Sequence, residues 1–215
     1  MLTWNLYHGR SRPAAGRSLL NEFVRALDGW DWDVALLQEV PPWWPPYLAR
    51  GCGAQQRSVL TSRNAGLALR RALSARNPDL LKSNGGGANA LLVRGPIAEH
   101  RSVALARRPE RRVAHGVALA DGSWVVNLHA TVAPKQRTHR DVAEALAAAN
   151  DWAAGAPLIL GGDLNLIRPE VPGLAHVAGH RVDHLYARGF PAGGSANVLT
   201  AAPLSDHRPL AATVS

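Results

Sequence analysis

Asp163 and Asn165 stand one residue apart in PLILGGDLNL, residues 157–166, where an apolar run closes on two glycines. On an extended strand alternate side chains share a face, so both would point the same way. A Gly-Gly-Asp turn accounts for the same residues more plainly. The pattern recurs, however. Asn5 follows Thr3 and Trp4, Glu39 closes VALLQE, and His129 closes WVVNLH. Asp183 follows Val182, and Asp206 and His207 precede the last apolar segment. Singly, each has a dull role as cap, rim carboxylate, core histidine or turn. Together they gather carboxylates, carboxamides and imidazoles at the ends of predicted strands, where loops converge on binding sites.

The chemistry this set suits is metal-assisted hydrolysis of a phosphate ester. Glu39 is a hard oxygen ligand of the kind Mg²⁺ takes, with water and phosphate filling other positions. Asn5 and Asn165 can orient ligands or water without adding charge. Asp206 and His207 offer a carboxylate beside a titratable base. Asp183 placed against His207 would fix its tautomer and stabilise its charged form. His129 would donate to the phosphate as negative charge builds.

The elements that must position these residues are partly legible. LTWNL reads as a short first strand, and DVALLQEV as a buried strand ending in Glu39. Residues 18–30 place Leu19, Leu20, Phe23, Val24, Leu27 and Trp30 on one helical face. Residues 64–76 read as a short helix, and RDVAEALAAANDWA as another. PPWWPPYLARG, with four prolines, reads as a loop and not as a regular helix; Trp43 and Trp44 either wall a site or cap the core. SNGGGANALLVR is a glycine-rich loop feeding a strand and lacks the Gly-Lys-Ser/Thr of a P-loop. Residues 112–119 and 123–130 alternate around Asp-Gly, a hairpin signal. Strands also follow at Pro157–Leu160, at RVDHL and at the end of the chain. Strands and helices mix without strict βαβ alternation, which favours an α/β or α+β sandwich over a Rossmann or barrel fold.

With 215 residues and 47% hydrophobic content, the chain suits one domain, residues 1–215, with a sizeable core. The lone Cys52 excludes an internal disulfide and a Cys-rich zinc site. No run is apolar enough to span a bilayer, and Met1 leads into LTWNLYHG without a signal-peptide pattern, so the cytoplasm is the expected compartment. The net charge of +8 invites an anionic partner. All but two of the 24 basic residues are arginine, which genome composition explains equally well. RRPERR near residue 110 reads either as a grip on a nucleic-acid backbone or as a solvated loop.

WNLYHG, LLQEV, GGGANALLVR, VVNLHAT, LILGGDLNL, RVDHLYARG and LSDHRPL resemble, in order from Trp4 to Leu210, the motifs of the endonuclease/exonuclease/phosphatase superfamily, the DNase I-like fold. The resemblance implies a four-layer sandwich, two mixed β-sheets flanked by helices, and Mg²⁺- or Mn²⁺-dependent phosphoester cleavage. It makes Glu39 the main metal ligand, with Asn5 supporting that site and Asp206 in its shell. His207 becomes the base oriented by Asp183, or in another view a direct phosphate contact. Asp163 aligns the attacking water or protonates the leaving group, and Asn165 holds that water or a phosphate oxygen. His129 matches a phosphate-contacting histidine, and Asn89 a substrate-binding asparagine after the glycine loop. Two departures stand out: Tyr7-His8 occupies the place of an acidic residue in DNA-repair members, and His184, not an aromatic, follows Asp183. They bear on repair-type specificity and not on the hydrolytic core.

The expected function is a monomeric, metal-dependent phosphodiesterase or nuclease with a phosphoester substrate, nucleic acid included, and water activated by the His207–Asp183 pair. A small-molecule or phospholipid phosphodiesterase or phosphatase is the alternative within the class. A non-catalytic phosphate-binding module is the alternative outside it, which the full ligand set opposes. A zinc hydrolase on HVAGHRVDH is a further one, since His176, His180 and His184 recur every four residues. Val177 stands where that motif needs its Glu, and Gly179 with Pro172-Gly173 opposes a helix. A loop leading into a short strand fits better, and there the shared histidine face is lost.

Overall fold

The computed structural model describes residues 1–62, 66–108, 110–191 and 194–214. The chain runs β1 (Leu2–Asn5), a 3₁₀ turn (Tyr7–Gly9), α1 (Leu20–Asp28), β2 (Val34–Val40), α2 (Pro45–Gly51), β3 (Gln55–Thr61) and α3 (Leu67–Arg76). It continues through two 3₁₀ turns, β4 (Gly87–Val93), β5 (Ile97–Ala106), β6 (Arg112–Leu119), β7 (Trp124–His129), α4 (Lys135–Ala153) and β8 (Leu158–Asp163). β9 (Ala175–His180), β10 (Asp183–Arg188), β11 (Ala196–Val198) and β12 (Leu210–Ala212) complete it.

The strands form two mixed six-stranded sheets, ordered β11-β12-β1-β2-β4-β3 and β5-β6-β7-β8-β10-β9. Val34, Leu36, Leu91 and Val93 of the first sheet meet Val117, Val125, Ile159 and Leu185 of the second in the central apolar layer. The outer face of the first sheet packs Trp4, Leu37 and Leu92 against Phe23 and Leu27 of α1 and Leu48 of α2. The second packs Val126, Leu128 and Leu160 against Val142, Ala145 and Ala149 of α4. The result is the expected four-layer sandwich, with each sheet buried on both faces and its inner strands read as near-continuous apolar runs. Among the described residues, no helix is long and apolar enough to cross a membrane.

Two local expectations are corrected, and a third holds over its described residues. The proline-rich stretch does form a helix, α2, because Pro45 and Pro46 occupy its first two positions. First-turn N–H groups have no intrahelical partner, so proline loses nothing there. The expected helix at 64–76 begins at Leu67, and its first two positions lie outside the described residues. The histidine-rich segment read as a loop is strand β9, antiparallel to β10. That hairpin brings His176 Nε2 within 3.3 Å of His184 Nδ1, so the face thought lost is partly restored across the turn. His184 Nε2 lies 2.9 Å from the Leu166 carbonyl oxygen, a backbone partner that leaves no three-histidine cluster among the described residues.

Candidate active site

The strand directions put the singled-out polar residues at one end of the sandwich. β1 and β2 run parallel and end near Asn5 and Glu39, and β7 and β8 run parallel and end with His129 level with Asp163. β4 and β10 run antiparallel to these pairs and begin at the same end, near Asn89 and with Asp183 opposite Asp163. The loop before β12 brings in Asp206 and His207.

Glycine shapes the end of β8. Gly162 has φ +129°, and a Cβ there would fall 2.0 Å from the Leu128 carbonyl oxygen on β7. β8 ends at Asp163, and Asn165 lies beyond it with φ 53°. Thus Asp163 and Asn165 do not share a strand face. The chain turns back instead, the Asn165 N–H donates to Asp163 Oδ1 at 3.1 Å, and Asn165 Nδ2 donates to the Ala130 carbonyl at 2.9 Å. The turn and the polar pair are one device. On the facing loop, Ser205 Oγ donates to the Asn5 carbonyl at 2.6 Å and accepts from the His207 N–H at 3.0 Å, while Trp4 Nε1 donates to the His207 carbonyl. Tyr7, His8, Glu39, Asn165 and Ser205 all have positive φ. Strained non-glycine backbone gathers where side chains must be aimed.

Asp163 is the hub. Its Oδ2 accepts from Asn5 Nδ2 at 3.0 Å and lies 3.5 Å from His129 Nε2 and 3.9 Å from His207 Nε2. His207 Nδ1 sits 2.8 Å from Asp183 Oδ2. Burial, with the Asp183 charge beside it, pushes the Asp163 carboxyl up to about 7, against the opposing pull of His207, Asn5 and the Asn165 N–H. Burial alone would depress His207, but its hydrogen bond to Asp183 and the charges of Asp183, Asp163 and Asp206 prevail and raise it to about 9. His129 is held well below its usual value by burial, with Arg112, His207 and His8 adding to the effect. It is therefore neutral, and its approaches to Asp163 and, at 3.9 Å, to Glu39 are contacts of an uncharged ring, not ion pairs.

The remaining predicted residues are placed as follows. Asn5 is fully committed, since its Oδ1 accepts from the Tyr7 N–H at 2.9 Å while its amide holds Asp163. Asp206 pairs with Arg12 at 3.0 Å on the rim. Asn89 is buried between the sheets, donates to the Val113 carbonyl, and leaves Oδ1 without a partner. Glu39 is partly exposed beside His8 Nε2 at 3.1 Å.

Three further groups belong here that the sequence did not single out. His8 stood only as a departure. Arg112 was hidden in RRPERR; Arg107, Arg108 and Arg111 are exposed, whereas Arg112 is buried, pairs with Glu110 at 2.8 Å and raises the local potential at His129. Lys135 Nζ donates to the Asn165 carbonyl at 2.6 Å. For these no residue-type pattern gave a signal. Of the two tryptophans, Trp44 is core, packed on Phe23 at 5.4 Å. Trp43 lines a groove of about 360 Å³ with Tyr47, Arg50 and Arg71. A larger cavity, about 670 Å³, lies at the opposite end of the sandwich against Met1, Asp31, Asp33 and Asp121, far from this chemistry.

The donor set suits a hard divalent cation. Glu39, Asp163 and Asp183 supply carboxylate oxygens, and Asp183 Oδ1 is buried with no hydrogen-bond partner. Asp163, Asp183 and His207 offer ligand atoms all within 4.8 Å of one another, although the His207–Asp183 hydrogen bond already occupies two of these groups. Oxygen-rich sites that keep positions open for water and phosphate are what Mg²⁺ takes.

Two layered mixed sheets with polar strand ends at one rim define a DNase I-like sandwich. The chain belongs to the endonuclease/exonuclease/phosphatase family, whose model matches residues 2–207. Members of this family hydrolyse phosphoester bonds, typically with a divalent metal. No curated protein matches the sequence. Among solved structures, an endonuclease/exonuclease/phosphatase from Beutenbergia cavernae DSM 12333 is similar at a TM-score of 0.72 and 19% identity, over 97% of this chain and 69% of that one. TDP2 from Caenorhabditis elegans gives 0.69 and 15%, over 99% and 73%. A mannosyl-6-phosphatase from Bacteroides thetaiotaomicron VPI-5482 gives 0.66 and 14%, over 100% and 99%. These identities bear on the fold alone.

Proposed function

We propose that this protein is a divalent-metal-dependent phosphodiesterase acting on nucleic acid. The observation that carries the hydrolytic reading is Asp163 Oδ2, placed between Asn5, His129 and the His207–Asp183 pair. Glu39 is the carboxylate open to a metal ion, with Asp163 and Asp183 nearby and Asp206 on the rim. Bound there, a divalent ion supplies charge neutralisation of the phosphate and a more acidic water.

The protein's own groups divide the proton work. His207, held near 9 with Nδ1–H on Asp183, keeps its proton at neutral pH and presents Nε2–H to a phosphate oxygen. Asp163, near 7, is matched to proton exchange with water at neutral pH. It takes the proton of the water whose oxygen bonds phosphorus, and that proton can then pass to the leaving alkoxide as its P–O bond breaks. Water is consumed, and a monoester and an alcohol are released. Asn5 and the Asn165 N–H hold the Asp163 carboxylate still, and neutral His129 donates toward the same space. Of the two roles the sequence leaves open for His207, base or direct phosphate contact, this assignment takes the second and gives water activation to Asp163. A base that holds its proton until pH 9 is poorly matched to neutral water activation.

The nucleic-acid substrate is supported by the groove that Trp43 and Tyr47 line together with Arg50 and Arg71, and by the net charge of +8. The test compares cleavage of plasmid DNA and of a small activated diester over a salt series. DNA cleavage that falls steeply with salt while small-ester turnover holds is the expected result. Turnover of the small ester with no cleavage of DNA or RNA would replace this substrate with a small phosphodiester.

A further inference from the structure

His8 and Glu39 face each other in a way that a simple rim contact does not require. His8 sits in a left-handed turn at φ 55°, next to Tyr7 at φ 50°, and Glu39 is itself at φ 49°. Positive φ at these three residues, two of them adjacent, goes with the aiming of the two side chains at one point. His8 is 9% exposed. Its Nδ1 lies 3.3 Å from the Gly86 carbonyl oxygen, which can only accept, so Nδ1 carries the hydrogen. Nε2 is the other ring nitrogen, and it faces Glu39 Oε2 at 3.1 Å. With Nδ1 held by the backbone, Nε2 is left directed at the Glu39 carboxylate, close enough that one small cation can touch both atoms.

We propose that His8 is a metal ligand beside Glu39, giving the centre a nitrogen donor that favours first-row transition ions such as Mn²⁺ over Mg²⁺. The inference rests on the metal-dependent reading above and adds the identity of a ligand and the preference it creates. Adjacent ligands on an octahedral ion with bonds of ~2.1 Å stand about 3 Å apart, and the His8–Glu39 separation is 3.1 Å. Fixing one ring nitrogen on a backbone carbonyl and leaving the other for the metal is the usual device by which proteins orient a histidine ligand. Imidazole binds first-row transition ions well, whereas Mg²⁺ keeps to oxygen. His129 Nε2, at 3.9 Å from Glu39 Oε1, is the competing nitrogen.

The test is Mn²⁺ binding to the full chain by electron paramagnetic resonance, with Mg²⁺ competition and pulsed detection of ¹⁴N coupling. The variants are His8→Asn, which tolerates a left-handed backbone, His129→Gln and Glu39→Gln. The unsubstituted chain should bind Mn²⁺ with a ¹⁴N coupling. His8→Asn should lose that coupling and about tenfold or more of the Mn²⁺ affinity, with Mg²⁺ affinity changed far less. His129→Gln should keep the coupling, and Glu39→Gln should weaken both ions. Mn²⁺ bound with no ¹⁴N coupling, or with a coupling lost only in His129→Gln, overturns the His8 assignment and leaves the metal-dependent reading intact. If neither ion binds the unsubstituted chain, both fall.

Discussion

Asp183 holds His207 through a 2.8 Å contact between Oδ2 and Nδ1, and keeps its own Oδ1 buried without a partner. The bond fixes the imidazole and stabilises its charge, so that Nε2 points toward Asp163 as a donor. Much of the proposed chemistry depends on this one orientation.

Replacing Asp183 with Asn removes the charge that does most to raise His207. With His207 near 9 and Asp163 near 7, the native activity profile should rise through about 7 and fall beyond about 9. In Asp183→Asn the alkaline limb should move down by about one pH unit or more, because the imidazolium has lost its counter-charge. A pH–rate profile measures this directly, and an unmoved alkaline limb would assign that limb to another group.

His207→Ala should lower turnover by at least about a hundredfold, the usual scale for a lost proton-transfer or charge-stabilising partner. Circular dichroism should show an intact fold, since the side chain packs at the rim. Near-normal turnover by the variant would remove His207 from the mechanism.

Asp163 is a stability liability in the metal-free protein. Its folded pKa, about 7, lies above the ordinary carboxylate value of 3.8. The fold therefore binds its proton more tightly than the unfolded chain does. The penalty is absent below about pH 4, grows as pH rises, and is complete above 7. In EDTA, Asp163→Asn should melt higher than the native chain at pH 8, by ~2 °C or more, and the two curves should converge near pH 4. Equal melting at pH 8 would mean that the buried carboxylate is better compensated than its surroundings indicate.

Gly9 ties the His8 turn to the core. It has φ +75°, and a Cβ there would lie 2.5 Å from Trp44 Cη2. Gly9→Ala should destabilise the protein by roughly 1–3 kcal/mol through overpacking and backbone strain. Urea titration tests it, and a variant of unchanged midpoint would show that Trp44 moves aside freely.

How far the sequence could be read follows from where each strand lies. Among the described residues, every strand that the apolar pattern revealed is interior to its sheet, and the strands it missed, β3, β5, β9 and β11, are the four sheet edges. β3 and β5 are mostly exposed or half-exposed along their length, so they lack the buried run that marks an interior strand. Edges carry polar residues that discourage pairing with another chain. Asn5, Glu39, Asn89, His129, Asp163 and Asp183 all come from interior strands, which is why the site was legible along with them. α2 has no apolar signature of its own, and its prolines are tolerated only because they sit at the first two helix positions. Strand periodicity does not carry past Asp163 to Asn165, because the backbone there turns left-handed. His8 and Arg112 depend on tertiary approach, across to Glu39 and toward His129, and no spacing in the chain announces either.

The most direct measurement is turnover of a generic activated phosphodiester by the native chain and by Asp163→Asn, each with Mg²⁺ or Mn²⁺ and again with EDTA. The account predicts turnover by the native chain that EDTA abolishes, and a loss of about a hundredfold or more in Asp163→Asn despite its greater stability. Turnover that persists in EDTA, or that survives the loss of the Asp163 carboxylate, would contradict it.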